Sequence, residues 1–152
     1  MLEMIKSIIT FCKKEIVLFS SDASDYGIIE ELQYSLKQQN IFVGVAKPTD
    51  VDELIELLSS ASFIISSRMH SLIFSYLLKN NFVALSWSEK VRSFMLLVNL
   101  EDRVIDYSDL SFDYLKKFIN QPIIYDKKVN DGFNHLFDLE EKRWEDLGTV
   151  NK

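Results

Sequence analysis

The chain has 152 residues, 47% of them apolar, and a formal net charge of −6, which suits one domain with a sizeable core. The acidic balance leaves no basic face for neutralising nucleic-acid phosphates, although a local basic pocket for a small anion remains open. A single cysteine, Cys12, excludes an internal disulfide and a thiolate metal cluster, and two histidines argue against a His-rich metal site.

No apolar run reaches the roughly 18 residues of a spanning helix. Glu3 and Lys6 interrupt the N-terminal apolar stretch and no small-residue cleavage site follows, so no signal peptide is expected and a reducing, cytoplasmic compartment is inferred. Residues 1–14 fit a short helix with Ile5, Ile8, Ile9 and Cys12 on one face. Residues 15–19 contain the β-prone run IVLF, a first strand. The polar turn Ser20–Asp25 (SSDASD) follows. Ser24 or Asp25 can cap a helix running to about Gln39, with Ile28, Ile29, Leu32 and Leu36 inward.

Residues 41–45 form a second strand, closed by Pro48. Thr49 or Asp50 caps a helix through Leu58, with Val51, Leu54, Ile55 and Leu58 inward. Phe63–Ile65 is a third, buried strand. Ser66 and Ser67 end it and can cap a helix carrying Met69, Leu72, Ile73, Tyr76 and Leu77, which Asn80 and Asn81 stop. Phe82–Leu85 is a fourth strand. Ser88 caps the next helix, which buries Val91, Phe94, Met95 and Val98. Arg103–Ile105 is a short fifth strand, Asp109–Ile119 a helix, and Pro122 a break. A last helix is expected over about Tyr125–Trp144, with Phe133, Leu136, Phe137 and Trp144 on one face, and a frayed end from Val150.

Strand and helix alternate throughout, which calls for a parallel sheet covered on both faces. The expected fold is therefore α/β, a doubly wound, Rossmann-like three-layer sandwich with about five parallel strands in one domain over 1–152. It divides into an N-terminal helix (1–14), alternating elements (15–120) and a C-terminal helix and tail (121–152). Strand order 2-1-3-4-5 is favoured, with 3-2-1-4-5 as its rival. In the favoured order the Ser20–Asp25 turn lies beside the residues that follow the third strand, at the topological switch point.

Two strand-to-helix turns place Arg68, His70 and Lys90 at helix N-termini. Helix-dipole considerations disfavour cations there, whereas an anion site accounts for them. Arg68 suits bidentate recognition of a carboxylate or phosphate; the alternative is an ion pair with Asp22 or Asp25. His70 either exchanges protons near neutral pH or hydrogen-bonds a backbone carbonyl. Lys90 either holds a phosphate or is solvated. Arg92 is a weaker candidate. Asp22 and Asp25 read as turn and cap residues, and His135 as a surface residue. Trp87 either stacks on a sugar or covers the sheet end. No GxGxxG is present, so no dinucleotide fingerprint exists and no cofactor is expected.

The segment ASFIISSRMHSLIFSYLLKNNFVALSWSEKVRSF resembles the C-terminal domain of the polysaccharide pyruvyl transferases: a strand, then Arg68-Met69-His70, an apolar helix, a second strand, and Lys90-Val91 before another helix. The similarity is densest over Ala61–Leu100 and weaker back to Ser20. The resemblance implies a fold like the C-terminal half of a GT-B enzyme. It implies transfer of pyruvyl from phosphoenolpyruvate to a sugar of a cell-surface polysaccharide, with Arg68 and Lys90 binding the donor and His70 as acid or base. Enzymes of this family are much longer and have two domains. The resemblance covers only their C-terminal half, so the chain is expected to be a fragment, a degenerate remnant or one part of a split enzyme, with a separate N-terminal domain or a second copy as the partner of its exposed face. Two further readings stay open: half of a sugar-nucleotide glycosyltransferase, whose Gly-rich phosphate loop is absent here, and a non-catalytic interaction module.

Overall fold

A computed structural model describes residues 2–126, 129 and 131–132. Six helices and five strands are found there: α1 (Leu2–Cys12), β1 (Val17–Phe19), α2 (Tyr26–Lys37), β2 (Gly44–Ala46), α3 (Val51–Ser60), β3 (Ile64–Ser66), α4 (Met69–Leu77), β4 (Phe82–Ser86), α5 (Glu89–Leu97), β5 (Val104–Asp106) and α6 (Phe112–Ile119). The order is the expected alternation. Most of the expected last helix, with Trp144 and His135, lies outside the described residues, and Tyr125 and Asp126, where its start is expected, are not helical.

Every strand pairing is parallel. β1 pairs with β2, Leu18 opposite Val45. β3 pairs with β4, Ile65 opposite Val83, and β4 with β5, Leu85 opposite Ile105. The ladders form a two-stranded sheet, β1-β2, and a three-stranded sheet, β3-β4-β5. The β3–β4 pairing is incompatible with order 3-2-1-4-5. Every neighbour relation of 2-1-3-4-5 is present except a β1–β3 ladder. Side chains make that junction instead: Phe19 packs on the core beneath β3 and β4, and Ser71 of α4 lies 3.3 Å from Ser21, oxygen to oxygen.

β4 is buried at every position, as its uninterrupted apolar run requires for a strand covered on both faces. Its side chains alternate between two cores. Phe82 and Ala84 join Leu54 and Leu58 of α3, Leu72 and Tyr76 of α4, and Val91, Phe94 and Met95 of α5. Val83 and Leu85 face Leu115 and Phe118 of α6, with Met4 and Ile8 of α1 packed alongside. This is the three-layer arrangement expected of the Rossmann-like class.

Helix ends are set by local chemistry. Asp50 caps α3, its Oδ1 accepting from the Glu53 N–H at 2.9 Å, and Ser111 caps α6. With few glycines, the helices close on left-handed Lys13, Asn40, Lys79 and Asn99. After α4, the Lys79 and Asn80 N–H groups reach back to the Tyr76 and Ser75 carbonyls.

Several expectations need correcting. Ile28 is 68% exposed and Val51 53% exposed; α2 and α3 each bury a narrower stripe, Ile29 with Leu36 and Leu54 with Leu58. α2 ends at Lys37, short of Gln39. β5 begins at Val104, because Arg103 closes a 3₁₀ turn before it. α6 starts at Phe112, after a 3₁₀ turn at Tyr107–Asp109. Neither Ser66 nor Ser67 caps α4. Arg68 itself is the cap residue, with extended backbone (φ −90°, ψ 127°), and its N–H donates to the Ser66 hydroxyl at 3.2 Å.

Candidate functional site

The site is built where β1 and β3 give way to α2 and α4. Arg68 leaves β3 through a short turn and sends its guanidinium across to Asp25, the residue before α2. Nε donates to Asp25 Oδ2 at 2.8 Å and Nη2 to Oδ1 at 2.5 Å, a two-pronged pair. Nη1 lies 3.4 Å from Asp22 Oδ2. The buried Ser20, at the end of β1, donates its hydroxyl to Asp25 Oδ2 at 2.8 Å and accepts the Asp22 N–H at 3.0 Å. Asp22 Oδ1 accepts from both the backbone N–H and the hydroxyl of Ser24.

These contacts set the charges. Hydrogen bonds from Arg68, then from Ser20, hold the Asp25 carboxyl below the usual carboxylate range. The Ser24 bonds do the same for Asp22. The bond to Asp25 raises Arg68 in turn. At neutral pH the turn therefore holds one guanidinium against two carboxylates, and Arg68 adds no surplus positive charge.

The ion pair that sequence offered as the alternative for Arg68 is thus formed, and with both acids named. The Arg68 side chain keeps 37% exposure, so part of the guanidinium still faces solvent. Asp22 caps the short 3₁₀ turn at Ala23–Asp25. Asp25 stands at the cap position of α2 but makes no side-chain capping bond.

His70, in the first turn of α4, is exposed, and so is Lys90, in the first turn of α5. No hydrogen bond or ion pair joins either to Arg68 among the described residues. They share the carboxyl end of the β3–β4 sheet without a contact network. Arg92 is paired with Asp106 at the end of β5, and Trp87 is 70% exposed beyond β4. Among the described residues, no three His, Cys, Asp or Glu side chains gather as a metal site, and no helix is long and apolar enough to cross a membrane.

Two features had no signal in sequence. Ser20 reads as an ordinary turn serine, and only its burial against Asp25 marks it. Ser71 and Ser75 are wholly buried on α4; Ser75 donates to the Ser71 carbonyl at 2.6 Å, and the small Ser71 lets the β1 turn approach through Ser21.

Parallel strands with helices on both faces, and an Arg-x-His at a strand-to-helix turn, define an α/β domain of the kind that meets ligands at its strand ends. The family model for polysaccharide pyruvyl transferase matches residues 2–89, more than half of the chain, and the chain belongs to that family. The matched span takes in the Ser20–Asp25 turn, Arg68 and His70, and stops one residue before Lys90. No curated protein and no solved structure matches the chain significantly.

Proposed function

We propose that this chain, read as one Rossmann-like unit over 1–152, is the donor-binding half of a polysaccharide pyruvyl transferase. It acts in the cytoplasm on phosphoenolpyruvate and a saccharide acceptor. The observation that carries the proposal is Arg68-Met69-His70 at the start of α4, inside the family match and at the carboxyl end of β3. In the manner of a GT-B enzyme, a second domain completes the donor cleft.

The reaction forms two carbon–oxygen bonds from sugar hydroxyls to the central carbon of the donor and breaks its bond to the phosphate oxygen. One hydroxyl proton is matched by the proton that turns the donor's methylene into a methyl group; the other is taken up with the released phosphate. Arg68 meets the donor carboxylate through Nη1, on the side where Asp22 stands at 3.4 Å without a hydrogen bond. His70 delivers the proton to the methylene carbon. Lys90 offers a point charge to the phosphate.

The test is a titration of the purified chain with phosphoenolpyruvate, with inorganic phosphate and a uridine diphosphate sugar as competitors. A charge-assisted bond contributes about 1.5–3 kcal/mol, so Arg68→Ala is expected to weaken binding by roughly ten- to a hundredfold. Preference for the nucleotide sugar would favour a glycosyltransferase half instead. No binding to any of them would sink the donor-site reading and leave an interaction module. With the completing domain present, His70→Ala should abolish transfer; full activity would remove its catalytic role.

A further inference from the structure

Hydrogen bonds to a carboxylate hold Arg68 along one edge only, while Nη1 faces Asp22 at ion-pair distance. Asp25 occupies the Nε–Nη2 edge with both carboxylate oxygens; the Nη1 hydrogens and the second Nη2 hydrogen are left to other partners. The carboxylate is itself fixed, because its Oδ2 also receives the hydroxyl of Ser20 at the buried end of β1.

The position of Asp25 has an ordinary alternative explanation, helix capping, and the geometry speaks against it. Aspartate before a helix usually accepts an N–H from the first turn, yet Asp25 makes no such bond. Asp22 behaves differently. It is tied to Ser24 through Oδ1 and touches Nη1 only at ion-pair distance, so an incoming anion at Nη1 has this loosely held carboxylate to displace and not the two-pronged Asp25.

We infer that Asp25 is a positioning residue, holding the Arg68 guanidinium by its inner edge so that the Nη1 end is presented to an anionic donor. This rests on the donor-binding reading proposed above. Asp25 acts on the ligand through Arg68 and need not touch it. Its carboxylate belongs to the last turn before α2, so the pair also ties the β1 turn to α4 across the gap between the two sheets.

The two physical effects of Asp25→Asn oppose each other. Removing a negative charge beside an anion site favours binding. Releasing Arg68 restores rotamer freedom that binding must then remove, and the long Arg side chain is among the costliest to order. Positioning predicts that the second effect wins.

The experiment is a titration with phosphoenolpyruvate of wild type, Asp25→Asn, Arg68→Lys and the double variant, with thermal midpoints measured in parallel. Lysine keeps the charge but cannot take the two-pronged grip, so binding should stay weak but measurable. Asp25→Asn is expected to weaken wild-type binding about tenfold and to have no further effect in the Arg68→Lys background. A merely structural role would lower the midpoint and weaken both backgrounds alike, and that result would overturn the inference. Unchanged or tighter binding in Asp25→Asn would also overturn it while leaving the donor reading intact. Absence of binding in wild type would remove both. If Asp25→Asn does not fold, Ser20→Ala serves as the second variant: it removes one anchor of the carboxylate, and its loss of affinity should likewise vanish with Arg68→Lys. A Ser20→Ala chain binding as tightly as wild type would count against the inference.

Discussion

Replacing Arg103 by Met tests the packing logic of this fold most directly. Arg103 is 3% exposed, and its hydrogen bonds go to neutral oxygens, with Asp102 acting on it only through space. Nη1 donates to Asn81 Oδ1 at 2.8 Å and to the Phe82 carbonyl at 3.2 Å, and Nη2 donates to the Gln121 carbonyl. The guanidinium also lies over the Phe118 ring, 5.2 Å from its centroid. One side chain thus joins the start of β4, the end of α6 and the segment after it. Burial lowers its pKa, yet arginine remains charged. Methionine keeps most of the apolar length and the contact with Phe118 but leaves those acceptors without a donor. Each lost bond to a charged donor is worth about 1.5–3 kcal/mol, and release from burying a charge returns several kcal/mol. With three acceptors stranded, the net loss should be about 2–4 kcal/mol. At a urea slope of about 2 kcal/mol per molar, this moves the unfolding midpoint down by about 1–2 M. Arg103→Lys, which keeps the charge without the fork, should lose at least 1 kcal/mol, by rough analogy with one lost bond. An unchanged or raised midpoint for Arg103→Met would refute the reasoning, because it would mean that desolvation cancels everything the bonds supply.

Three further outcomes are expected. Leu72 is wholly buried in the core between α3, α4 and α5, so Leu72→Ala should lower the unfolding free energy by about 2–5 kcal/mol in a denaturant titration; a loss under about 1 kcal/mol would mean the site collapses around the gap. Lys79 holds a left-handed backbone at the end of α4, φ 57°, so Lys79→Gly should stabilise by about 0.5–1 kcal/mol, the relief of strain exceeding the added freedom of the unfolded chain; a lower thermal midpoint would contradict this. The folded-state pKa of Asp25 is depressed, first by Arg68. Its contribution is therefore complete above the unfolded carboxylate value and disappears as pH falls through the lower folded value. The stability gap between wild type and Asp25→Asn should accordingly shrink below about pH 4, and a constant gap down to pH 2 would show that charge is not the source.

The site was only partly legible before folding. Arg68 and His70 stand out because a cation after a buried strand and before an apolar helix is a local pattern. Which of Asp22 and Asp25 would meet Arg68 was not decidable, since they are three residues apart on one turn and the pairing spans 43 positions of chain. Lys90 and His70 satisfy the same local rule, yet the fold leaves both exposed with no link to Arg68 among the described residues. Ser20 and Arg103 carry no local signal of their roles, because a serine in a turn and an arginine before a strand acquire their meaning from distant neighbours.

By itself the sequence determined the alternation of strand and helix, the parallel sense that such alternation demands, and Phe82–Leu85 as a buried strand of a sheet covered on both faces. These follow from short-range periodicity, which the backbone geometry of each element reads directly. The tertiary structure decided the rest: that β1 and β3 meet through side chains without a ladder, that Ile28 and Val51 stay outside, and that Asp25 takes the inner edge of Arg68. Those outcomes depend on how far elements distant in the chain can approach, and thus on the volumes packed between them. Close approach at Ser71, a small, wholly buried side chain of α4 that meets Ser21, brings the β1 turn within reach of the arginine.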